Sequence, residues 1–514
     1  MQTGGIYVRQ YFEQPPRSHL AAKQLREGVD DVDGQFISHA SPLPAAPEPK
    51  KALTTVLLTG LMYSFTIGGA YGIEESVLGG GPFLTILSII LIPLVMALPT
   101  ALVVAELASA IPSNAGYLMW ANLSFHRIAY LALVLLSLFH IFLDNALYPV
   151  LFSEYACTAL SCSRAGHVGL RVAMLAVIYV LNILGIEAVG IASVVFTCFS
   201  VTPFLLLLVT HLLKTGFYMN WPALATVPRN IKWATFFTTA SWNLSGIEQA
   251  GTVAEDVKDP QRTFTNSLLP LVGLAIMTYL PPVLVGASAT TGAINLDEWQ
   301  TGFWAEVSYR VGGGALKAVI VLGSVVSAFG LTLSALCTTS HIIAGMALTE
   351  AFPGWVGELL CRRHYRFGTY HWAITANTVL TAVFSMLFDF QSLVMIGQFL
   401  YSIRMLCVFM SFLLIRQHFP YLERPYRMPI TGAKMYALLG MAMLLYVALM
   451  CISISQEWSS AVISLTILAA SGAFSWYYCT YVRTKDFLGR IVTASVEEDV
   501  ELTECDREEE DSHL

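Results

Sequence analysis

The chain is 514 residues long, 55% hydrophobic and only 12% charged, with a mean hydropathy of +0.63. A soluble domain carries about a quarter charged residues, so this composition excludes a soluble globular protein and assigns most of the chain to lipid. The net charge of −7 arises largely from ten acidic residues between Glu497 and Asp511, and nothing in it suits nucleic acid.

Residues 1–50, with PPRSHL and PLPAAPEPKK, are polar and Pro-rich, lack a cleavable signal peptide, and read as a disordered N-terminal tail. Apolar runs near the length needed to cross a bilayer then follow at about 53–78, 83–105, 128–160, 170–188, 190–213, 234–254, 266–288, 314–347, 371–388, 391–415, 435–454 and 459–482. The expected fold is an all-α integral membrane protein of about twelve spans, a transmembrane domain over residues 51–482 and an acidic tail over 483–514. The sixth run, TTASWNLSGIEQAGT, is too polar for an ordinary span, yet charge counting requires it to cross. With the N-terminus inside, the inner segments hold twenty Lys and Arg and the outer segments seven, counting Arg171 and Lys317 at the ends of their runs, while Arg404 lies inside a span. That asymmetry puts both termini in the cytoplasm. The cysteines mostly sit in apolar runs; Cys157 and Cys162, beside an outer loop, are the one pair placed to bond.

Two runs carry the signs of interrupted helices. The first contains Gly68, Gly69 and Gly72 ahead of Glu74 and Glu75; each glycine costs a helix about 1 kcal/mol against alanine. The sixth contains Trp242-Asn243-Leu244-Ser245-Gly246-Ile247-Glu248, so that Gly72-Ile73-Glu74 recurs as Gly246-Ile247-Glu248. Close packing by small residues accounts for one such stretch. Paired interruptions at corresponding positions of two halves mark a transporter's binding site, and predict spans 1–5 and 6–10 as inverted repeats with two spans appended.

The candidate ligands follow from that geometry. Glu74, Asp144 and Glu248 are carboxylates in or beside predicted spans, where an ionised group costs at least about 2.5 kcal/mol. Glu74 and Glu248 either bind substrate or complement the N-terminus of a half-helix. Asp144 precedes Pro149, which frees the Asn145 carbonyl; the two together suit an amine, or Asp144 is a structural group paired with Arg404. Tyr148 and Trp242 offer aromatic faces to an ammonium, or pack. Gln398 and Tyr401 share a face of the tenth span. His140 and His211 are isolated, without metal-ligand spacing. Several acids against a lone buried base favour a dication over a zwitterion.

Ala105-Glu106-Leu107-Ala108-Ser109-Ala110-Ile111-Pro112 with Gly116-Tyr117, and Ala254-Glu255-Asp256-Val257-Lys258-Asp259-Pro260-Gln261-Arg262-Thr263, resemble signatures of the amino acid–polyamine–organocation superfamily. Gly72-Ile73-Glu74-Glu75-Ser76 and Asp144-Asn145-Ala146-Leu147-Tyr148-Pro149 are similar to plant and protozoan polyamine uptake transporters. The resemblance covers about residues 50–480. It implies ten core helices in two inverted halves, with the site at the unwound centres of spans 1 and 6: Gly68, Gly69, Gly72, Trp242, Asn243 and Gly246. Trp242 matches a position that stacks on substrate in similar arginine/agmatine exchangers, and Glu248 one that responds to protons. Proton-coupled relatives carry a Lys in span 5, whereas residues 172–213 here contain no Lys or Arg, which leaves proton symport open.

The expectation is a plasma-membrane secondary transporter of putrescine- or spermidine-like cations, with amino acids, cationic or neutral, as the alternative substrates. HExxH, GxGxxG and GxxxxGK[ST] motifs are absent from the sequence, so neither an enzyme nor a cofactor is expected. No channel filter or charge ring is present either.

Overall fold

The computed structural model describes residues 53–483 and 487, apart from 114, 161, 217, 290–293 and 456. The two tails expected at 1–50 and 483–514 lie outside these residues almost entirely. Among the described residues the fold is helical, with nine helices long and apolar enough to cross a membrane. Three further crossings complete the expected twelve: broken spans 1 and 6, and the 17-residue span 9, His371–Leu387.

Span 1 begins as Thr55–Thr66, capped by the Thr54 side chain, and resumes at Glu74. Its second half runs to Gly81, whose φ of 76° and ψ of 168° turn the chain into span 2 through Pro82. Span 2 continues through a π-helical turn at Pro93–Ala97 to Leu98–Ala110. Spans 3, 4 and 5 are Arg127–Leu160, Arg164–Leu184 and Ile186–Thr215. Span 6 is Trp233–Trp242, a break, then a tight 3₁₀ stretch, Ile247–Asp256. Span 7 is Pro260–Ser288. Span 8 lies in Trp304–Leu348, whose first residues form a separate segment ending at the kink of Gly313. Spans 10, 11 and 12 are Phe390–His418, Ala433–Ser453 and Trp458–Tyr477.

The repeat is visible in which helices touch. Exchanging each span with the one five later maps real packings onto real packings: 5 on 8 becomes 10 on 3, the first half of 1 on 5 becomes the first half of 6 on 10, 1 on 7 becomes 6 on 2, and 9 on 3 becomes 4 on 8. Five is odd, so the second set crosses in the opposite direction. Spans 2, 3, 8 and 10 are mostly buried, whereas 4, 5, 11 and 12 turn side chains such as Val177, Phe199, Leu213 and Leu444 outward. That is the distribution lipid requires, since apolar outer faces cost nothing there.

Two ties fix the ends. Leu53 pairs with the chain leaving span 6, its N–H donating to Asp256 O and its carbonyl accepting from Lys258 N–H, both at 2.9 Å. The buried Glu106 at the end of span 2 receives Arg416 at 2.8 Å on Oε1, the Met428 N–H at 2.8 Å on Oε2, and Arg424 at 3.4 Å. This cluster is what the acid of the Ala105–Pro112 motif does: it fastens the loop after span 10 to span 2. At the other face, Cys157 and Cys162 form a disulfide.

Candidate functional site

Backbone that leaves the helix at membrane depth must find partners inside the protein, and here it does. Gly68 and Gly246 adopt φ of 59° and 101°, a region that side chains disfavour. A Cβ on Gly68 would stand 2.5 Å from Leu331, and one on Gly246 2.7 Å from Phe65. The Tyr279 hydroxyl of span 7 lies 2.8 Å from both the Ile67 and the Asn243 carbonyl oxygens, so one group serves both breaks. Ser327 donates to Gly68 O, Trp304 Nε1–H to Ala70 O at 2.7 Å, and Gly246 N–H to the Tyr401 hydroxyl at 3.2 Å.

Between the breaks lies a cavity of about 20 Å³, lined by groups that include Phe65, Thr66, Ile67, Tyr71, His140 and Asp144, with Leu331 opposite. Tyr148, Trp242, Asn243, Ser245, Gly246, Tyr401 and Arg404 complete it. That volume holds about one water, and a linear diamine is several times larger, so side chains must move for it to enter. Asp144 is the one carboxylate in the lining. Its Oδ1 accepts the Trp242 indole N–H at 3.3 Å and its Oδ2 the Tyr148 hydroxyl at 3.1 Å. The Tyr148 and Trp242 rings stack with centroids 6.2 Å apart, and Phe390 meets Trp242 edge-on at 5.5 Å. A Cβ on Gly72 would lie 3.0 Å from the far edge of the Trp242 ring, so only glycine lets the indole close against the span 1 break.

Of the residues singled out from the sequence, the cavity brings together Asp144, Tyr148, Trp242, Asn243, Gly246 and Tyr401. The others stand outside its lining. Gly68, Gly69 and Gly72 shape the break. Glu74 accepts from Gly72 N–H at 2.7 Å, from the Tyr155 hydroxyl, and from Gly302 N–H at 3.3 Å, while Glu75 accepts from the Thr301 N–H at 3.1 Å. These two acids therefore clasp the segment before span 8. Asn145 turns away, its amide donating to Thr339 at 2.9 Å and Asn377 at 3.0 Å. Gln398 is buried away from the cavity. Glu248 lies behind Arg404, which binds it at 2.6 Å, and the Tyr401 hydroxyl donates to its other oxygen at 3.1 Å. The partner of Arg404 is thus Glu248 rather than Asp144.

His140 and Arg404 join the lining without having been chosen. His140, Asp144 and Tyr148 are spaced by four, which stacks them along one helical face; that spacing was the available signal. Arg404 follows Tyr401 by three and was the base read as lying deep inside a predicted run. Among the described residues no group of three or more His, Cys, Asp or Glu side chains is placed to hold a metal ion.

Two interrupted spans crossing at a small aromatic cavity within an exchanged five-span repeat define a secondary transporter of the broken-helix kind. The profile of the amino acid permease family matches residues 53–482, and the chain belongs to that family. Similar proteins include one from Arabidopsis thaliana described as a probable polyamine transporter, 33% identical over 75% of this chain and 79% of its own length. The polyamine transporter RMV1 of Arabidopsis thaliana is 28% identical over 82% of this chain and 83% of its own length. The polyamine transporter PUT1 of Oryza sativa subsp. japonica is 30% identical over 76% and 72%.

Proposed function

We propose that this permease takes up polyamines of the putrescine or spermidine kind by alternating access at the cavity between spans 1, 3, 6 and 10. The observation that carries the reading is Asp144: a buried carboxylate in an aromatic cavity, with both oxygens engaged by neutral donors that an ammonium can replace. A charge-assisted bond is shorter and about twice as strong as a neutral one, and the Tyr148 and Trp242 faces add cation–π attraction of about 0.5–2 kcal/mol each. The relatives named as polyamine transporters support the same substrate class.

The site residues in this reading are Asp144, Tyr148, Trp242 and Tyr401 around the cation, with Asn243 and Gly246 supplying backbone. Glu74 and Glu248, engaged by the Gly302 backbone and by Arg404, stand outside the lining and do not meet the cation in this reading. The plasma membrane, with both termini in the cytoplasm, fits the basic asymmetry of the loops. The Cys157–Cys162 disulfide at the end of span 3 supports the same orientation, since such bonds persist on an oxidising side. A membrane potential of 100 mV gives a dication about 4.6 kcal/mol, so accumulation of roughly a thousandfold needs no coupled proton.

Radiolabelled putrescine and spermidine uptake in a transport-deficient cell, competed with diamines, triamines, arginine and leucine, tests this. Diamines or triamines compete at lower concentration than either amino acid. Stronger competition by arginine or leucine than by every polyamine overturns it in favour of amino-acid transport.

A further inference from the structure

We propose that Arg404 is a resident counter-ion that sets how many ammonium groups the cavity accepts, an inference that rests on the polyamine reading above. Its side chain is 2% exposed, yet it lines the cavity, whereas the carboxylate it neutralises does not. Nη2 holds Glu248 at 2.6 Å, and Nη1 donates to His140 Nδ1 at 3.1 Å and toward the Tyr117 hydroxyl at 3.4 Å. The guanidinium carbon sits 5.0 Å from the centroids of both the Tyr117 and Tyr401 rings. Contact of a guanidinium with two aromatic faces helps to hold an arginine in one orientation. Arg404 Nε, buried, has no hydrogen-bond partner among the described residues.

The consequence is an axis of charge along span 3. His140, Asp144 and Tyr148 follow one another at about 6 Å per step. Arg404 bonds at the level of His140, and Trp242 stacks at the level of Tyr148. A substrate ammonium at Asp144 therefore has a fixed cation on the Arg127 side and aromatic faces on the Cys157 side. The second amine is repelled from the first side and extends past Trp242 toward the break at Gly72. Glu248 takes no substrate charge while Arg404 and Tyr401 occupy its two oxygens. Asp144 is left as the single free carboxylate, and the lining as a whole is near neutral before Glu248 is counted. Arg404 is accordingly a specificity residue: it makes the site take one ammonium at its centre and discriminates by where the remaining charge lies.

Competition by butylamine, putrescine and spermidine tests this on wild type, Glu248→Gln, Arg404→Gln, Arg404→Lys and the Glu248→Gln/Arg404→Gln double variant, each normalised to surface protein. Two unit charges at this range shift cation affinity on the order of tenfold. Glu248→Gln, which leaves Arg404 uncompensated, should weaken spermidine and putrescine on the order of tenfold more than butylamine. Arg404→Gln should shift the same ratios the opposite way, Arg404→Lys should hold them, and the double variant should return them to wild type. If Arg404→Gln does not reach the surface, Glu248→Gln and the double variant still give opposite expectations. Equal losses for all three amines in Glu248→Gln, or a double variant shifted like a single one, overturn the proposal and assign the pair a structural role. Wild type that takes up no polyamine overturns instead the reading on which it rests.

Discussion

Trp242 and Asp144 meet across the site, the indole N–H of span 6 donating to the carboxylate of span 3 at 3.3 Å. The pair joins an element that is broken to one that is continuous, and in the proposed reading a cation at the carboxylate competes with this bond. That competition would give substrate binding a way to bias the position of span 6.

Asp144→Asn keeps size and hydrogen bonding while removing the charge. A bond to a charged group contributes about 1.5–3 kcal/mol, so polyamine affinity should fall roughly 10- to 150-fold with surface expression maintained. Saturation uptake per unit of surface protein measures it, and unchanged affinity would show that Asp144 does not meet the substrate.

Trp242 separates into two functions. Trp242→Phe retains an aromatic face but deletes the N–H to Asp144; Trp242→Leu deletes both. Uptake should survive better in the first than in the second, with both reaching the membrane. Parallel loss of expression in the leucine variant would mark the side chain as packing.

Glu74→Gln acts at a different place. Its carboxylate is bound to Gly72, Tyr155 and Gly302, so neutralising it should loosen the segment around Thr301–Trp304 more than it reduces affinity. A cysteine introduced at Tyr71, which lines the cavity, should react faster with an impermeant thiol reagent in the Glu74→Gln background. Equal reaction rates, with a loss of affinity as large as that of Asp144→Asn, would assign Glu74 to the cation directly.

Gly246→Ala should fail for a backbone reason. The residue sits at φ 101° with the Phe65 ring 2.7 Å from the added methyl carbon, and left-handed strain alone costs about 1–3 kcal/mol. Detergent-solubilised protein should melt lower than wild type, and a Phe65→Ala second substitution should recover part, not all, of the loss. Full recovery would show that the clash, not the dihedral, is the whole effect.

Glu106→Gln leaves Arg416 and Arg424 facing a buried amide. Breaking one side of a buried pair is destabilising by about 3–5 kcal/mol, reduced here because Arg416 is 15% exposed. Lower thermal stability with an unaltered ratio of diamine to triamine uptake is expected, since the cluster lies away from the cavity lining.

What the chain determined by itself is what depends on local composition. Long apolar runs dictate crossing, and the glycines at 68, 72 and 246 dictate where helix cannot continue, because these preferences act over a few residues or against the bilayer as a solvent. Trp242, Tyr148 and Asp144 were legible as candidates for the same reason, and all three line the cavity: an aromatic at a break and an acid within a span are conspicuous in lipid. Which acid lines the cavity was decided only in three dimensions. Arg404 reaches Glu248 across 156 residues of sequence, Glu74 finds Gly302 across 228, and Asn145 turns to Asn377 across 232. A carboxylate buried in a membrane takes the nearest donor that packing provides, and that donor is set by helices far apart in the chain. Asp144 faces the cavity because the nearest donors to it, an indole and a phenol, carry no charge.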